Sequence, residues 1–561
     1  MASSSPTPAP PPKPGQGQPV KTERAALLVG AGILLSRMSG IVREAVLSAL
    51  LGATTIAAEA FAFSLQIPKV MQNLLGEGAL SASFIPVYSQ VVDEDPRAAR
   101  KLAGAVFGIL AILVGGFVLL LMVAARPIVG FIAKGASDER ADLIAELVRT
   151  MAPGIGFIVF AAWCLGILNS HRDFFLSYVA PMLWNLAIVV ALILWRTQTT
   201  DLASIARAGA WGVFIGGIAQ FAVQLPRVLR IAGPITPTLK RDAPATKDVI
   251  RRFVPGVAGR GVITLSTFAD GFLASFLAVG ALSVLSKAQL LFALPISVFA
   301  MSIAAADLPE LSRESSVGDR GSSRVRTAVD RVALFVVFST VAFMLGGRSI
   351  VGALFERGQF ESDDTVAVWL TLAVFSFGLL ASALSRVFQA ASFAQGDVAG
   401  PAKIALARLV LAAGVGVLLM LPADRFQVVD GVVQQAGDLD FSVLDEAVRD
   451  QPNSRRLGAV GLAAGGAAAA WLEFFLLQRR LRSAGTGGLG IIDSLRRLLL
   501  ATVAAGVLLA VLAELTASLP PVLAAPLVIG PAGLLYLLIA RRTGNLTANA
   551  LFARLLPGTN S

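Results

Sequence analysis

The chain has 561 residues, of which 55% are hydrophobic and only 15% charged, with a mean hydropathy of +0.74. That balance excludes a soluble domain and places most of the chain in a membrane. One cysteine, Cys164, and one histidine, His171, exclude an internal disulfide framework and a histidine metal cluster; both read as structural residues, and no metal or catalytic site is expected.

The opening stretch MASSSPTPAPPPKPGQGQP is proline-rich and cannot bury a core, so residues 1–24 read as a disordered cytoplasmic tail. The first apolar segment, Ala25 to Gly52, is too long and too charged at its centre to be a cleavable signal peptide. It carries Arg37 and Arg43. A guanidinium near a bilayer centre costs at least about 2.5–3.5 kcal/mol, so such residues face a polar cavity, a buried partner or a charged substrate. At about 100° per residue, Glu44 returns to nearly the same helix face as Arg37, while Arg43 points about 120° away. Arg37 is therefore either paired with Glu44 or directed at an anionic cargo.

The second segment adds Glu59 and Lys69, again too deep for surface charges, and Glu77 within Gly76-Glu77-Gly78-Ala79, where small residues permit close helix contact. In the seventh segment Arg260 and Asp270 lie within about 80° of each other around the helix, and Lys287 opens the eighth. Arg and Lys at such positions offer charge-assisted hydrogen bonds to a phosphate. Asp270 cannot do that; it either forms a salt bridge to Arg260 or Lys287 or takes a coupling ion, Na+ or H+. Arg386, in the tenth segment, falls near the cytoplasmic end and reads as a snorkelling interfacial anchor.

Counting about 20 apolar residues per crossing gives about fourteen candidate helices. Their loops set the orientation. Basic residues concentrate between Arg227 and Arg252, between Arg313 and Arg331, between Arg479 and Arg497, and at Arg541 and Arg542, all on one side of the expected layout. The acidic stretch from Asp424 to Asp450 falls on the other. Both termini are therefore expected on the cytoplasmic side of the membrane. The net charge of +11 is mostly this signal and carries no argument for nucleic acid.

The chain also repeats itself at a spacing of roughly 223 residues, as transporters with internal symmetry do. Phe84-Ile85-Pro86-Val87-Tyr88-Ser89 matches Asp307-Leu308-Pro309-Glu310-Leu311-Ser312, after Pro68 and Pro295 respectively. The stretch from Arg126 to Gly135 echoes that from Arg348 to Gly358, and the turn Asn169 to Asp173 echoes Phe393 to Asp397. The expected fold is an all-α integral membrane protein: two six-helix lobes, 25–230 and 247–482, around a central cavity, with an acidic extracytoplasmic loop at 423–455 and two further transmembrane helices over 490–543. Both copies of each feature fall on one predicted side, so the repeat is parallel.

Ser36-Arg37-Met38-Ser39-Gly40-Ile41-Val42-Arg43-Glu44, then Leu51-Gly52-Ala53, Glu59-Ala60-Phe61, Ile67-Pro68, Gly76-Glu77-Gly78-Ala79 and Phe84-Ile85-Pro86, resemble the N-terminal signature of the MurJ (MviN) lipid II flippase family. The resemblance continues through Leu354-Phe355-Glu356-Arg357-Gly358-Gln359-Phe360 and leaves out the proline-rich tail and the acidic loop. It implies membership of the superfamily of multidrug, oligosaccharidyl-lipid and polysaccharide exporters, alternating access, and undecaprenyl-diphosphate-linked disaccharide-pentapeptide (lipid II) as substrate, beside membrane lipids and cell-wall synthesis proteins as partners.

On this resemblance Arg37 and Arg43 are similar to the family's two first-helix arginines, and Glu59 to an acidic residue of the second helix. The position of Asp270 resembles one where relatives place a sodium-binding acid. Gln72 and Leu290 stand where relatives carry arginine, so Lys69 and Lys287, with Arg260, are the expected sources of the remaining positive charge at the substrate. Flipping requires no cofactor beyond coupling to Na+, H+ or the membrane potential. A flippase for another undecaprenyl-diphosphate-linked glycan and a non-transporting scaffold of the same fold remain alternatives; an enzyme does not, since metal-assisted or covalent chemistry needs clustered acids or histidines.

Overall fold

The structure, a computed structural model, describes residues 19–239, 243–300, 318–395, 397, 399–483 and 490–555. The proline-rich residues 1–18 and the repeat copy Asp307 to Ser312 lie outside these, as do the side chains of Lys69, Glu77 and Arg260. The first lobe comprises α1 (Pro19–Leu51), α2 (Ile56–Leu74), α3 (Glu77–Glu94), α4 (Pro96–Ile132), α5 (Asp138–Ser170), α6 (Phe174–Arg196) and α7 (Leu202–Ala232). The second comprises α8 (Pro244–Ala274), α9 (Ala281–Pro295) running into a π-helical turn (Ile296–Ala300), α10 (Gly318–Leu345), α11 (Gly347–Phe355), α12 (Ser362–Ser376), α13 (Leu379–Ala394), α14 (Ala399–Ala423) and α16 (Gly458–Ser483). Between α14 and α16 sit strands β1 (Phe426–Val429) and β2 (Val432–Gln435) and a single turn, α15 (Glu446–Arg449). Helices α17 (Ile491–Leu515), α18 (Pro521–Arg542) and α19 (Leu546–Leu555) complete the chain.

Among the described residues, ten helices are long and apolar enough to cross a membrane, or eleven if α12 and α13, bent by 47°, form one span. The α2–α3 pair and α8, which carry Glu59, Lys69, Arg260 and Asp270, are outside this set, as is α1 with Arg37 and Arg43, most of whose first half has side chains outside the described residues. A layout of about fourteen crossings is consistent with this set once these charged spans are added. Helix α1 starts at Pro19, inside the segment expected to be tail. The second span is broken at Leu75 and Gly76, where a Cβ on Gly76 would lie 2.6 Å from the Gln72 carbonyl oxygen. Gly76 therefore permits a chain break, whereas the sequence reading assigned it to helix contact.

The internal repeat appears as matching hardware. In each lobe an aspartate in the turn before the fifth crossing binds an arginine near the end of the lobe's last helix: Asp173 to Arg227 at 2.5 Å and Asp397 to Arg480 at 2.5 Å. Each last helix also carries a pair of glycines four apart against the helix before it. On α7, Gly212 and Gly216 would place a Cβ 2.7 Å from the Ile188 Cα and 2.9 Å from the Trp184 Cα of α6. On α16, Gly461 and Gly465 would place one 2.4 Å from the Met420 amide nitrogen and 2.5 Å from the Ala412 carbonyl oxygen of α14. In lipid, with little hydrophobic drive between helices, such small residues let backbones approach. Sequence reading did not single out these glycines.

Five loops at one end of the molecule, 52–55, 133–137, 275–280, 356–361 and the acidic 424–457, meet where the two lobes touch. The basic loops lie at the other end. Replacing Gly465 by leucine is expected to cost about 1–3 kcal/mol or more by overpacking, lowering the melting temperature in detergent, whereas Gly414→Leu, with nothing within 4 Å of its Cβ, leaves it nearly unchanged.

Candidate functional site

Where the lobes meet, a small, partly open cavity of about 30 Å³ lies between α1, α2 and α9, with Leu47, Phe61 and Leu65 on its apolar side and Glu44, Ser286 and Lys287 on its polar side. Its charges are shared across the lobes. Lys287 Nζ on α9 lies 3.5 Å from Glu44 Oε1 on α1 and donates to Ser283 Oγ at 2.9 Å. The other oxygen of the same carboxylate is 3.7 Å from Arg43 Nη2. One carboxylate therefore stands between two cations, one from each lobe.

Arg43 is held from behind. Its Nη1 donates to Asn185 Oδ1 at 2.9 Å, Asn185 Nδ2 donates to Ser39 Oγ at 2.8 Å, and its guanidinium lies 5.1 Å from the Trp184 ring centroid. Planar cations favour such aromatic faces. Its Nε is buried with no hydrogen-bond partner among the described residues, a donor left open. Arg37 differs. It sits near the middle of α1, six positions before Arg43, on an exposed face shared with Leu34, Met38 and Val42, and Glu44, one of its two expected counterparts, is bridged by Arg43 and Lys287. Asn185 and Trp184 were not visible as site residues in the sequence, since an asparagine and a tryptophan in an apolar helix carry no periodic signal.

Glu59, expected at the substrate, is instead fully buried at the lobe interface. Its Oε1 accepts from Arg140 Nη2 at 3.2 Å, and its Oε2 accepts from the backbone amides of Leu282 at 3.2 Å and Ser283 at 3.5 Å. It thus caps the positive N-terminus of α9 from the opposite lobe. Arg140, itself 1% exposed, continues to Asp450 Oδ1 at 2.8 Å. The chain enters α9 through Gly280 at φ +95°, where a Cβ would meet the Thr54 Cα at 2.5 Å, so only glycine allows the loops to approach this closely.

In the second lobe Asp270 is not paired with Lys287, which is engaged elsewhere, while the Arg260 side chain lies outside the described residues; its Oδ2 accepts from Gln289 Nε2 at 2.9 Å. Arg386 is not an interfacial anchor. It donates to Gln389 at 3.0 Å, Gln389 donates to Glu473 at 2.7 Å, and Glu473 pairs with Arg408 at 2.5 Å. Sequence reading did not list Glu473, buried on α16, or Arg408 on α14. Leu290 packs against the core. His171 lies in a turn against Tyr88 at 3.3 Å, and burial, opposed by Asp93, lowers its imidazole below the ordinary value; it is a packing residue, as is the buried Cys164.

The family profile described as "Lipid II flippase MurJ" matches residues 47–429. This chain belongs to that family. It is 31% identical over 416 residues to a "Probable lipid II flippase MurJ" of Bdellovibrio bacteriovorus, covering 71% of this chain and 77% of the relative. It is 29% identical to a "Lipid II flippase MurJ" of Burkholderia cenocepacia, covering 69% and 76%. In fold it is similar to a structure titled "Lipid II flippase MurJ, inward closed conformation", with a TM-score of 0.70 at 18% identity over 94% of this chain and 99% of that one. An inward-facing multidrug resistance MATE family transporter is also similar, with a TM-score of 0.61 at 16% identity over 83% and 99%. The MurJ-family chain is thus a multi-pass membrane transporter in which Glu44 and Lys287 line the cavity, Arg43 stands behind Glu44, Glu59 lies at the lobe interface, and Arg37 stands apart.

Removing one member of a buried ion pair leaves the other uncompensated, at a cost of about 3–5 kcal/mol. Glu59→Ala is accordingly expected to lower the melting temperature in detergent strongly, and Glu59→Asp less so; the measurement is thermal unfolding of the purified protein.

Proposed function

We propose that this protein carries lipid II from the cytoplasmic to the outer leaflet of the bacterial inner membrane, for peptidoglycan synthesis. The observation that carries this reading is the sharing of Glu44 by Arg43 and Lys287 at a cavity between two lobes, in a chain of the MurJ family. A diphosphate entering the cavity competes with Glu44 for both cations. Arg43 Nε supplies a further donor, and Arg37, on the exposed face nearer the basic-loop end, meets the anion first. Charge-assisted bonds of this kind replace the hydration that the diphosphate loses. The polyprenyl tail stays in lipid. No bond is made or broken.

Orientation follows from loop charge: the basic loops and both termini face the cytoplasm, and the meeting loops at the acidic end face outward. In this arrangement the molecule is shut on the outside, and its closed end must open for release. Bringing the diphosphate between the lobes takes Arg43 and Lys287 from Glu44, and that exchange ties cargo binding to the lobe contact. Asp270, hydrogen-bonded to Gln289 at the membrane depth of α8, is the group proposed to take the coupling cation or proton, with the membrane potential as an additional drive.

The decisive test is complementation of a bacterium depleted of its own lipid II flippase: the protein should restore growth, and failure of an abundant, inserted protein to do so overturns the assignment. Arg37→Ala should abolish rescue without lowering abundance in the membrane. Lys287→Arg should retain rescue and Lys287→Glu lose it, because the position needs a cation rather than a lysine. Rescue that persists in Lys287→Glu rules out a role for this residue at the diphosphate.

A further inference from the structure

The acidic segment 424–457 lies almost wholly beyond the family match, which ends at residue 429. It is nonetheless ordered by specific contacts. Strands β1 and β2 pair antiparallel through a turn at Asp430 and Gly431, both at positive φ. Most anchors of the segment are within its own lobe. Asp424 Oδ2 accepts from the Ala278 amide at 3.1 Å, and the Val279 amide donates to the Arg449 carbonyl at 2.8 Å. The amides of Asp430 and Gly431 donate to Asp363 at 3.2 and 2.7 Å, and Arg455 binds Glu361 at 2.5 Å and Asp364 at 3.3 Å.

Two contacts reach across to the first lobe. Arg140 Nη1 donates to Asp450 Oδ1 at 2.8 Å, and the Asn453 amide donates to the Thr54 carbonyl at 3.0 Å. If the lobes part at this end, every anchor of the first group stays intact and both of these break. Arg140 is the hinge of the arrangement, since its other terminal nitrogen holds Glu59 and thereby the start of α9.

We propose that the 424–457 segment is a clasp that travels with the second lobe, and that Asp450 is a positioning residue that sets how often the outward side opens. Its chemistry is a charge-assisted bond to an almost fully buried guanidinium, backed by a backbone bond one turn of chain later. An interaction of this class shifts an open–closed balance by about tenfold or more. The inference rests on alternating access, but not on which lipid is carried.

The test is labelling with a membrane-impermeant maleimide added outside intact cells that express the full chain with Ala58→Cys, a cavity position beneath the closed loops. Cys164, buried in the first lobe, is the internal control. Asp450→Ala and Asp450→Asn are expected to raise labelling at position 58 about tenfold while Cys164 stays unreactive, and Asp450→Glu to return it toward the starting level. Unchanged labelling at position 58, or a parallel rise at Cys164 that marks unfolding, overturns the proposal. A second arm joins the two faces directly with Thr54→Cys and Asn453→Cys. Once oxidised, that pair should abolish labelling at position 58, and reductant should restore it; persistent labelling of the crosslinked protein also overturns the proposal. No arm requires lipid II, so failure here and failure of complementation are separate results.

Discussion

A charge at membrane depth must have a partner or face a polar cavity, and this protein satisfies that constraint by spending its carboxylates between the lobes. Glu59 is the clearest case. It lies in the first lobe, yet its oxygens hold Arg140 and the first amides of α9, a helix of the second lobe. Without a carboxylate there, α9 would begin with unsatisfied donors in a buried interface, and Arg140 would be a buried cation with one partner fewer. This contact fixes the start of α9, the helix that carries Lys287, and it closes the end of the molecule together with the Arg140–Asp450 and Asn453–Thr54 bonds.

Glu44 plays the same part on the cavity side. It is bridged by Arg43 from its own helix and Lys287 from the opposite lobe, so two cations share one carboxylate and the cluster keeps an excess of positive charge and of donors. A diphosphate carries enough charge to displace a carboxylate from both. In the proposed cycle, cargo recognition and lobe contact draw on the same groups, which makes closure respond to occupancy. Arg37 lies outside that set, exposed near the middle of α1, so the two first-helix arginines differ in setting: Arg43 is held by Asn185 and Trp184, with Ser39 behind, and Arg37 faces outward.

The second lobe is organised differently. Its buried polar groups form an internal chain, Arg386 to Gln389 to Glu473 to Arg408, with Asp270 held separately by Gln289. The lobes share helix arrangement, glycine pairs and the aspartate–arginine staple at each final helix, so the repeat survives in the scaffold while the polar interiors have diverged. The first lobe places Arg43 and Glu44 at the lobe contact, where the second contributes Lys287; the second keeps Arg386, Arg408 and Glu473 in an internal network.

Composition, loop charge and the repeat were enough to determine the membrane class, the two lobes, the expected orientation and the presence of costly charges in α1, α2 and α8, because each is a local or additive property of the chain. Hydropathy registers that Arg43 and Glu59 are expensive where they stand. It cannot register who compensates them. Glu44 lies seven residues from Arg37 and was a plausible partner by helical spacing, yet helix packing gives it to Arg43 and to Lys287 on α9. Arg386 looked like an anchor until α16 supplied Glu473 through Gln389, and the acidic loop looked like a signpost of sidedness until Asp450 met Arg140. Those pairings join residues far apart in the chain, and only the tertiary structure decided them, because which faces of two helices meet depends on the packing of the whole bundle rather than on the period of either one.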